Sequence, residues 1–180
     1  MRLTSIADSV REGQKRVRAT TVSLNELVTK PADLSKQFGQ YVKNLDSLES
    51  QAASVRKAAD KMAKEVDTYI KKWSEELAQI KNEDIRARSE TRQQQVNDGL
   101  KRIQSNYQAL AEAFKPFMAD MQDIETALQT DLTRGGVESI RDIAAKTQEE
   151  AKVVLSRADD IAADFEALGR ALSPADSGSH

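Results

Sequence analysis

Residues 34–73 read LSKQFGQYVKNLDSLESQAASVRKAADKMAKEVDTYIKKW, and this stretch decides the fold. Its apolar residues are Leu34, Phe38, Tyr41, Leu45, Leu48, Ala52, Val55, Ala59, Met62, Val66, Tyr69 and Trp73, spaced alternately by four and three. A strand would repeat every second residue. This spacing keeps one apolar stripe on one side of an α-helix, the seam of a coiled coil. Leu77 and Ile80 continue it after one extra step of four, a stutter that locally relaxes a supercoil. Pro31 suits a first helical turn, where its missing N–H is not needed, so the spacing predicts a helix over residues 32–81.

Working outward, the same periodicity recurs on the C-terminal side. A third segment runs Ile85, Ser89, Arg92, Val96, Leu100, Ile103, Tyr107, Leu110, Phe114, Phe117, Met121, Ile124, Leu128. It predicts a helix over 83–133 with Asn82 as its N-cap and Glu83 and Asp84 favourable in the first turn. Pro116 lies inside it, where a proline removes one hydrogen bond and costs roughly 3 kcal/mol. The seam passes through Pro116 without a slip, so a kink is expected rather than a helix end, with hinge and static packing as alternative roles. Gly135-Gly136 offers the left-handed residue that ends many helices. A fourth segment, Val137, Ile140, Ala144, Thr147, Ala151, Val154, Ala158, Ile161, Phe165, Leu168, Leu172, predicts a helix over 137–172, closed by Pro174 and a disordered tail over 174–180.

The N-terminal segment is weaker. Leu3, Ile6, Val10, Val17, Leu24 and Leu27 fit a seam over about 3–29, but Gly13 and Thr20 occupy two core places. The β-branched run Thr20-Thr21-Val22 lowers helix propensity, so fraying or a bend is expected there.

The two middle helices are each about 75 Å long at 1.5 Å per residue, and a short turn at Asn82 pairs them antiparallel. The expected fold is therefore all-α, a single helical domain over 1–173. It is an elongated antiparallel coiled-coil hairpin, with two flanking helices forming a four-helix base and a two-helix tip near Asn82. Charge supports the pairing of the flanking helices. Residues 1–30 carry six basic and three acidic groups, net +3, while 136–180 carry five basic and nine acidic, net −4. Exposed ion pairs add only about 0–1 kcal/mol each, so these charges choose neighbours more than they stabilise.

Composition narrows the chemistry. The 180 residues include no cysteine and one histidine, His180 in the polar tail. That leaves no thiolate nucleophile, no cysteine zinc site and a poor place for a catalytic base. With 27 basic and 29 acidic residues, there is no cationic excess to hold nucleic acid. The longest uncharged stretch, Ile103 to Ala111, is nine residues, where a spanning helix needs about 20. No apolar signal-peptide core follows Met1. The predicted seams contain no Asp or Glu, and Glu149-Glu150 and Asp159-Asp160 are placed on the outer face. A narrow coiled coil leaves no room for a ligand pocket, typically about 300–1,000 Å3. The expectation is a non-enzymatic protein with no metal and no cofactor.

Two groups of residues are candidates for contact with partners. Trp73 sits where the regular alternation breaks; it serves either as a core filler or as an anchor for a protein partner at the tip. Arg92 interrupts the opposing seam in the same region. Arg11, Lys15 and Arg18 form a basic stripe away from Val10 and Val17, either salt-bridging the last helix or touching an anionic membrane surface. Regular seams can also pair between chains, as a homodimer.

Trp73, Glu76, Ile80, Asn82, Ile85, Arg86 and Ser89 stand in an order and spacing that resembles a bacterial family, domain of unknown function 2959. Tyr107, Leu110, Phe114, Pro116, Leu128 and the Ser139-Ile140 pair resemble its second half. The resemblance covers roughly residues 30–172. It implies an all-helical, periplasmic or envelope-associated protein, secreted or lipid-anchored in many members, and brings no catalytic residues with it. The chain lacks the leader and lipobox cysteine of such members, so a cytoplasmic place stays open. The expected function is a structural or scaffold-type interaction protein of the bacterial cell envelope. The alternative is a peripheral membrane binder using its basic first helix.

Overall fold

A computed structural model describes residues 3–172, with side chains from Ser5 onward. The side chain of Leu3 and the tail 174–180, with His180, lie outside the described residues. The described residues form five helices: α1 (Leu3–Thr29), α2 (Leu34–Leu77), α3 (Glu83–Thr130), the short α4 (Arg134–Ser139) and α5 (Arg141–Leu172). The four long helices pack into one all-α bundle. α1 lies between α2 and α5, and α5 lies between α1 and α3; of the neighbouring pairs of long helices, α2 and α3 are the least closely packed.

The turns follow from local chemistry. Pro31 stands outside α2 rather than in its first turn, because Asp33 is the N-cap and its side chain accepts from the Lys36 N–H at 3.1 Å. Pro31 thus stops α1 by biasing Lys30 away from the helical region. Gln37 clasps the turn, accepting from the Ala32 N–H at 3.0 Å and donating to the Lys30 carbonyl at 3.1 Å. At the other end of α2, the Asn82 side chain accepts from the Ile85 N–H at 3.0 Å and starts α3.

Two local expectations change, and the expected continuation of α3 across Pro116 holds. α1 runs without a break through Thr20 and Thr21, whose hydroxyls donate to the Arg16 and Val17 carbonyls at 2.8 and 2.9 Å. Those bonds satisfy buried hydroxyls inside the bundle, and packing outweighs propensity. α3 runs through Pro116 as a single helix. Gly135 and Gly136 do not end a helix in the left-handed region; both lie in α4, N-capped by Thr133, and no described residue has positive φ. Instead, a Cβ on Gly136 would lie 2.0 Å from the Asp131 carbonyl oxygen. The glycine is required by a close approach of backbone to backbone.

Two apolar clusters fill the bundle. One gathers Leu24, Leu27, Tyr41, Leu45, Met121 and Leu128 around the α1–α2 turn. The other joins Ile6 and Val10 of α1 to Val96 and Ile103 of α3 and to Ile161 and Phe165 of α5. α5 buries its seam from Ala144 to Leu168 because α1 and α3 cover it from two sides. The ends of the α2–α3 pair are less covered: Ile85, placed in the seam by spacing, is 56% exposed. Cross-helix ion pairs tie α5 to both neighbours: Arg11 of α1 to Glu166, Arg102 of α3 to Asp164 at 3.0 Å, and Lys146 of α5 to Asp120 of α3 at 2.6 Å.

Candidate functional site

α2 and α3 run antiparallel and meet near both ends. Near the α1–α2 turn the buried Tyr41 hydroxyl donates to the Met121 carbonyl at 2.7 Å, and Gln122 donates to Glu49. Toward Asn82, the Trp73 Nε1–H donates to Ser89 at 3.4 Å, and Gln93 donates to Ser74 at 2.9 Å and to the Ile70 carbonyl at 3.3 Å. Between these two closures the seam is open. A cavity of about 870 Å3 lies there, lined by all four long helices. The expectation that the bundle has no room for a pocket is therefore wrong.

The opening has a steric cause. Ala52 and Ala53 on α2 and Ala111 and Ala119 on α3 line it from either side. Methyl side chains cannot bridge helices held apart by the larger Leu45, Tyr41 and Met121 of the adjoining cluster. On the floor, Gly13 of α1 adds none either; a Cβ there would find only Gln51 Cγ, at 3.9 Å. The rest of the floor is Val10, Gln14 and Val17 of α1 with Val154, Leu155 and Ala158 of α5, and the walls include Leu110 and Phe114. The lining is overwhelmingly apolar, and Val55, Leu110 and Phe114 are only half-buried.

Charge collects at the rim. Arg56, Asp60 and Tyr107 stand toward the Asn82 end, and Lys115 stands toward the other. The Tyr107 phenol is pushed above its usual pKa, first by burial and then by the Asp60 carboxylate, with Arg56 opposing. Just outside the opening, a shallow cleft on α2 is lined by Arg56, Lys57, Lys61 and Lys64, with Asp60 as its one acid.

Past the closure near Met121, Glu125 is half-buried. Its carboxyl pKa is raised, by burial first and then by the nearby Asp46 and Glu49 carboxylates. The folded pKa lies above the unfolded one, so the native state binds more protons between the two values. Stability therefore falls as pH rises through that window. Glu125→Gln is expected to raise the melting temperature at about pH 7 by a degree or two and to change little at about pH 3, where wild-type Glu125 is already neutral. Thermal melts at the two pH values check this.

The sequence candidates fall elsewhere. Trp73 is half-buried, bonded to Ser89 and stacked edge-on against Tyr69 at 5.6 Å. Arg92 turns away from it and donates to the Ala171 carbonyl at the end of α5. The two are not brought into one site. Of the basic stripe, Arg11 binds Glu166 of α5 and Lys15 binds Glu12 at 3.1 Å, while Arg18 is exposed. The acidic pairs are not simply solvated. Asp159 accepts from the buried Gln14 at 2.7 Å, and Glu150 is partly buried and salt-bridged to Lys146 at 3.3 Å. The slot residues Arg56, Lys115 and Tyr107 were missed. Their signal was present as runs of alanine at corresponding heights of two helices expected to touch. Among the described residues no group of three or more His, Cys, Asp or Glu could hold a metal ion, and no helix is long and apolar enough to cross a membrane.

The fold and slot define an all-α helical bundle open along one seam. A family model described as a protein of unknown function (DUF2959) matches residues 1–167. The chain belongs to that family, and the match takes in α1 as well as the helices that carried the resemblance. No curated protein and no solved structure matches the chain.

Proposed function

We propose that the chain is a non-enzymatic interaction protein of the bacterial envelope that binds through the open face between α2 and α3. One observation carries the reading: an apolar slot of about 870 Å3, held open between two closures of the same helix pair. A bundle of this size ordinarily closes its seams to the density of an organic crystal. Apolar walls left partly exposed along such a slot, with a charged rim, are the common form of a binding site. The finer architecture belongs to the same proposal. α2 and α3 act as a long coiled-coil-like hairpin that extends past the ends of α1 and α5 toward Asn82. The family resemblance alone supports the envelope location.

The alternative, contact with an anionic membrane through Arg11, Lys15 and Arg18, has less support, because Arg11 is engaged by Glu166 of α5 and Lys15 pairs with Glu12 on the surface of α1. A tip contact through Trp73 and Arg92 is likewise weakened by their bonds to Ser89 and Ala171. The test is titration of the whole chain with a neutral solvatochromic dye. One saturable site with blue-shifted emission is expected. It should disappear when Ala52→Trp and Ala111→Trp fill the slot while circular dichroism keeps its helical signal. Undiminished binding by the filled, folded variant would overturn the reading.

A further inference from the structure

Building on that reading of the slot, we infer that its ligand is a single-chain anionic amphiphile, a long-chain carboxylate whose hydrocarbon tail lies along the α2–α3 opening and whose head meets Arg56. Three features of the slot lead there.

The first is shape. The lining residues of α2 extend from Leu48 to Asp60, about 18 Å at 1.5 Å per residue. An extended hydrocarbon advances about 1.25 Å per carbon, from a 1.52 Å bond and a 111° angle, so the slot matches a chain of roughly 14 carbons. The Glu49–Gln122 closure bounds the opening at one end, and at the other its lining stops at Asp60 and Tyr107. A narrow trough with two ends suits one chain better than a compact ring system or a two-chain lipid.

The second is the scarcity of free hydrogen-bonding partners along the walls. Away from the charged rim the polar lining side chains are Gln14, which already donates to Asp159 and the Leu155 carbonyl, and Gln122, which donates to Glu49. Val10, Val17, Leu110, Phe114 and Val154 offer a guest dispersion contacts and nothing polar. A peptide laid into the slot would bring backbone N–H and C=O groups that need partners. A hydrocarbon brings none.

The third is charge complementarity. Arg56 lines both the slot and the adjoining cleft, where Lys57, Lys61 and Lys64 add three cations against Asp60. Tyr107, at the same end, can donate its phenolic hydrogen; burial and Asp60 keep that proton in place. A carboxylate there would meet a guanidinium fork and a hydroxyl donor, the arrangement that makes charge-assisted hydrogen bonds strong. At the other end Lys115 stands alone, so the head is assigned to the Arg56 end.

The experiment is displacement of the neutral dye from the whole chain by monomeric decanoate, dodecanoate, tetradecanoate and hexadecanoate, with dodecanol as the uncharged control. Each pair of added methylenes should tighten binding roughly tenfold, and the gain should stop beyond about 14 carbons, where the slot ends. Dodecanoate should outcompete dodecanol by at least tenfold at low salt. Arg56→Gln should erase most of that preference and affect dodecanol far less, whereas Lys101→Gln, exposed on α3 and outside the slot lining, should alter neither. Equal displacement by acid and alcohol would overturn the anionic assignment while dye binding still stood. No displacement by any chain, with the dye bound, would overturn the amphiphile. Sedimentation with anionic vesicles without displacement by monomeric carboxylate would place the contact on a membrane surface and also overturn it. Failure of the dye itself to bind would instead remove the underlying reading of the slot.

Discussion

Phe165→Ala is expected to destabilise the chain by about 3–5 kcal/mol, the range for removing a fully buried phenylalanine. For a protein of this size that lowers the melting temperature by roughly 6–20 °C. Phe165 is 1% exposed and lies in the cluster where α1, α3 and α5 converge, with Ile6, Val10, Leu100 and Ile103. These neighbours cannot collapse into the space without moving a helix, because they are fixed to the backbones of α1 and α3 on either side of the ring. The lost area and the residual cavity therefore act together. The site also matters to the slot. Val10 and Ala158 belong to the same cluster and form part of the slot floor. Chemical denaturation of the variant gives the free-energy change. Dye titration at a temperature where the variant is still folded shows whether the floor holds its shape. A loss below about 1.5 kcal/mol, the range of a well-tolerated core swap, would mean that the three helices are not packed around this ring.

Much of the fold was legible, and the reasons are visible in individual residues. In α5, Ala144, Thr147, Ala151, Val154, Ala158, Ile161 and Phe165 keep an unbroken alternation, and all are buried. Periodicity reports faithfully there because α5 has a neighbour on each side. The seam of α2 is just as regular, yet Ala52 and Val55 remain half-buried. Spacing says which face of a helix is apolar. It does not say whether a partner comes close enough to cover that face. That depends on side-chain size, and the alanines of α2 and α3 carried the information in a form that the apolar/polar pattern ignores. Charge was informative in the same partial way. The basic α1 does bind the acidic α5 through Arg11 and Glu166, but Arg102–Asp164 and Lys146–Asp120 bind α3 to α5 as well. Net charge per segment could not separate the two contacts. The site was illegible for a related reason: Arg56 and Lys115 look like ordinary solvated residues until the opening between their helices is known.

Gly136→Ala is expected to cost about 3 kcal/mol, the upper end of the usual range for overpacking, and to lower the melting temperature by roughly 6–12 °C. Alanine is ordinarily the better helix former by about 1 kcal/mol, so propensity alone gives the opposite sign. The steric contact decides. An added Cβ would stand 2.0 Å from the Asp131 carbonyl oxygen and 3.1 Å from its carbonyl carbon. These are backbone atoms that a rotamer change cannot move. The segment is held from both sides. The Asp131 N–H donates to the Ala127 carbonyl at 3.0 Å, Thr133 donates to the Asp131 side chain at 2.7 Å, and the Gly136 N–H donates to Thr133 at 3.1 Å. Relieving the clash means opening this capped turn, which aims α4 and α5 back along the bundle. Gly135→Ala is the control. A Cβ there meets only the Thr133 hydroxyl oxygen, at 3.7 Å, an ordinary contact, so that variant should match or slightly exceed the parent in stability. Thermal melts of the pair separate the two causes. A stable Gly136→Ala would mean that the Asp131 backbone can move away at little cost, whereas equal losses in both variants would point to a general intolerance of α4 to substitution rather than to this carbonyl.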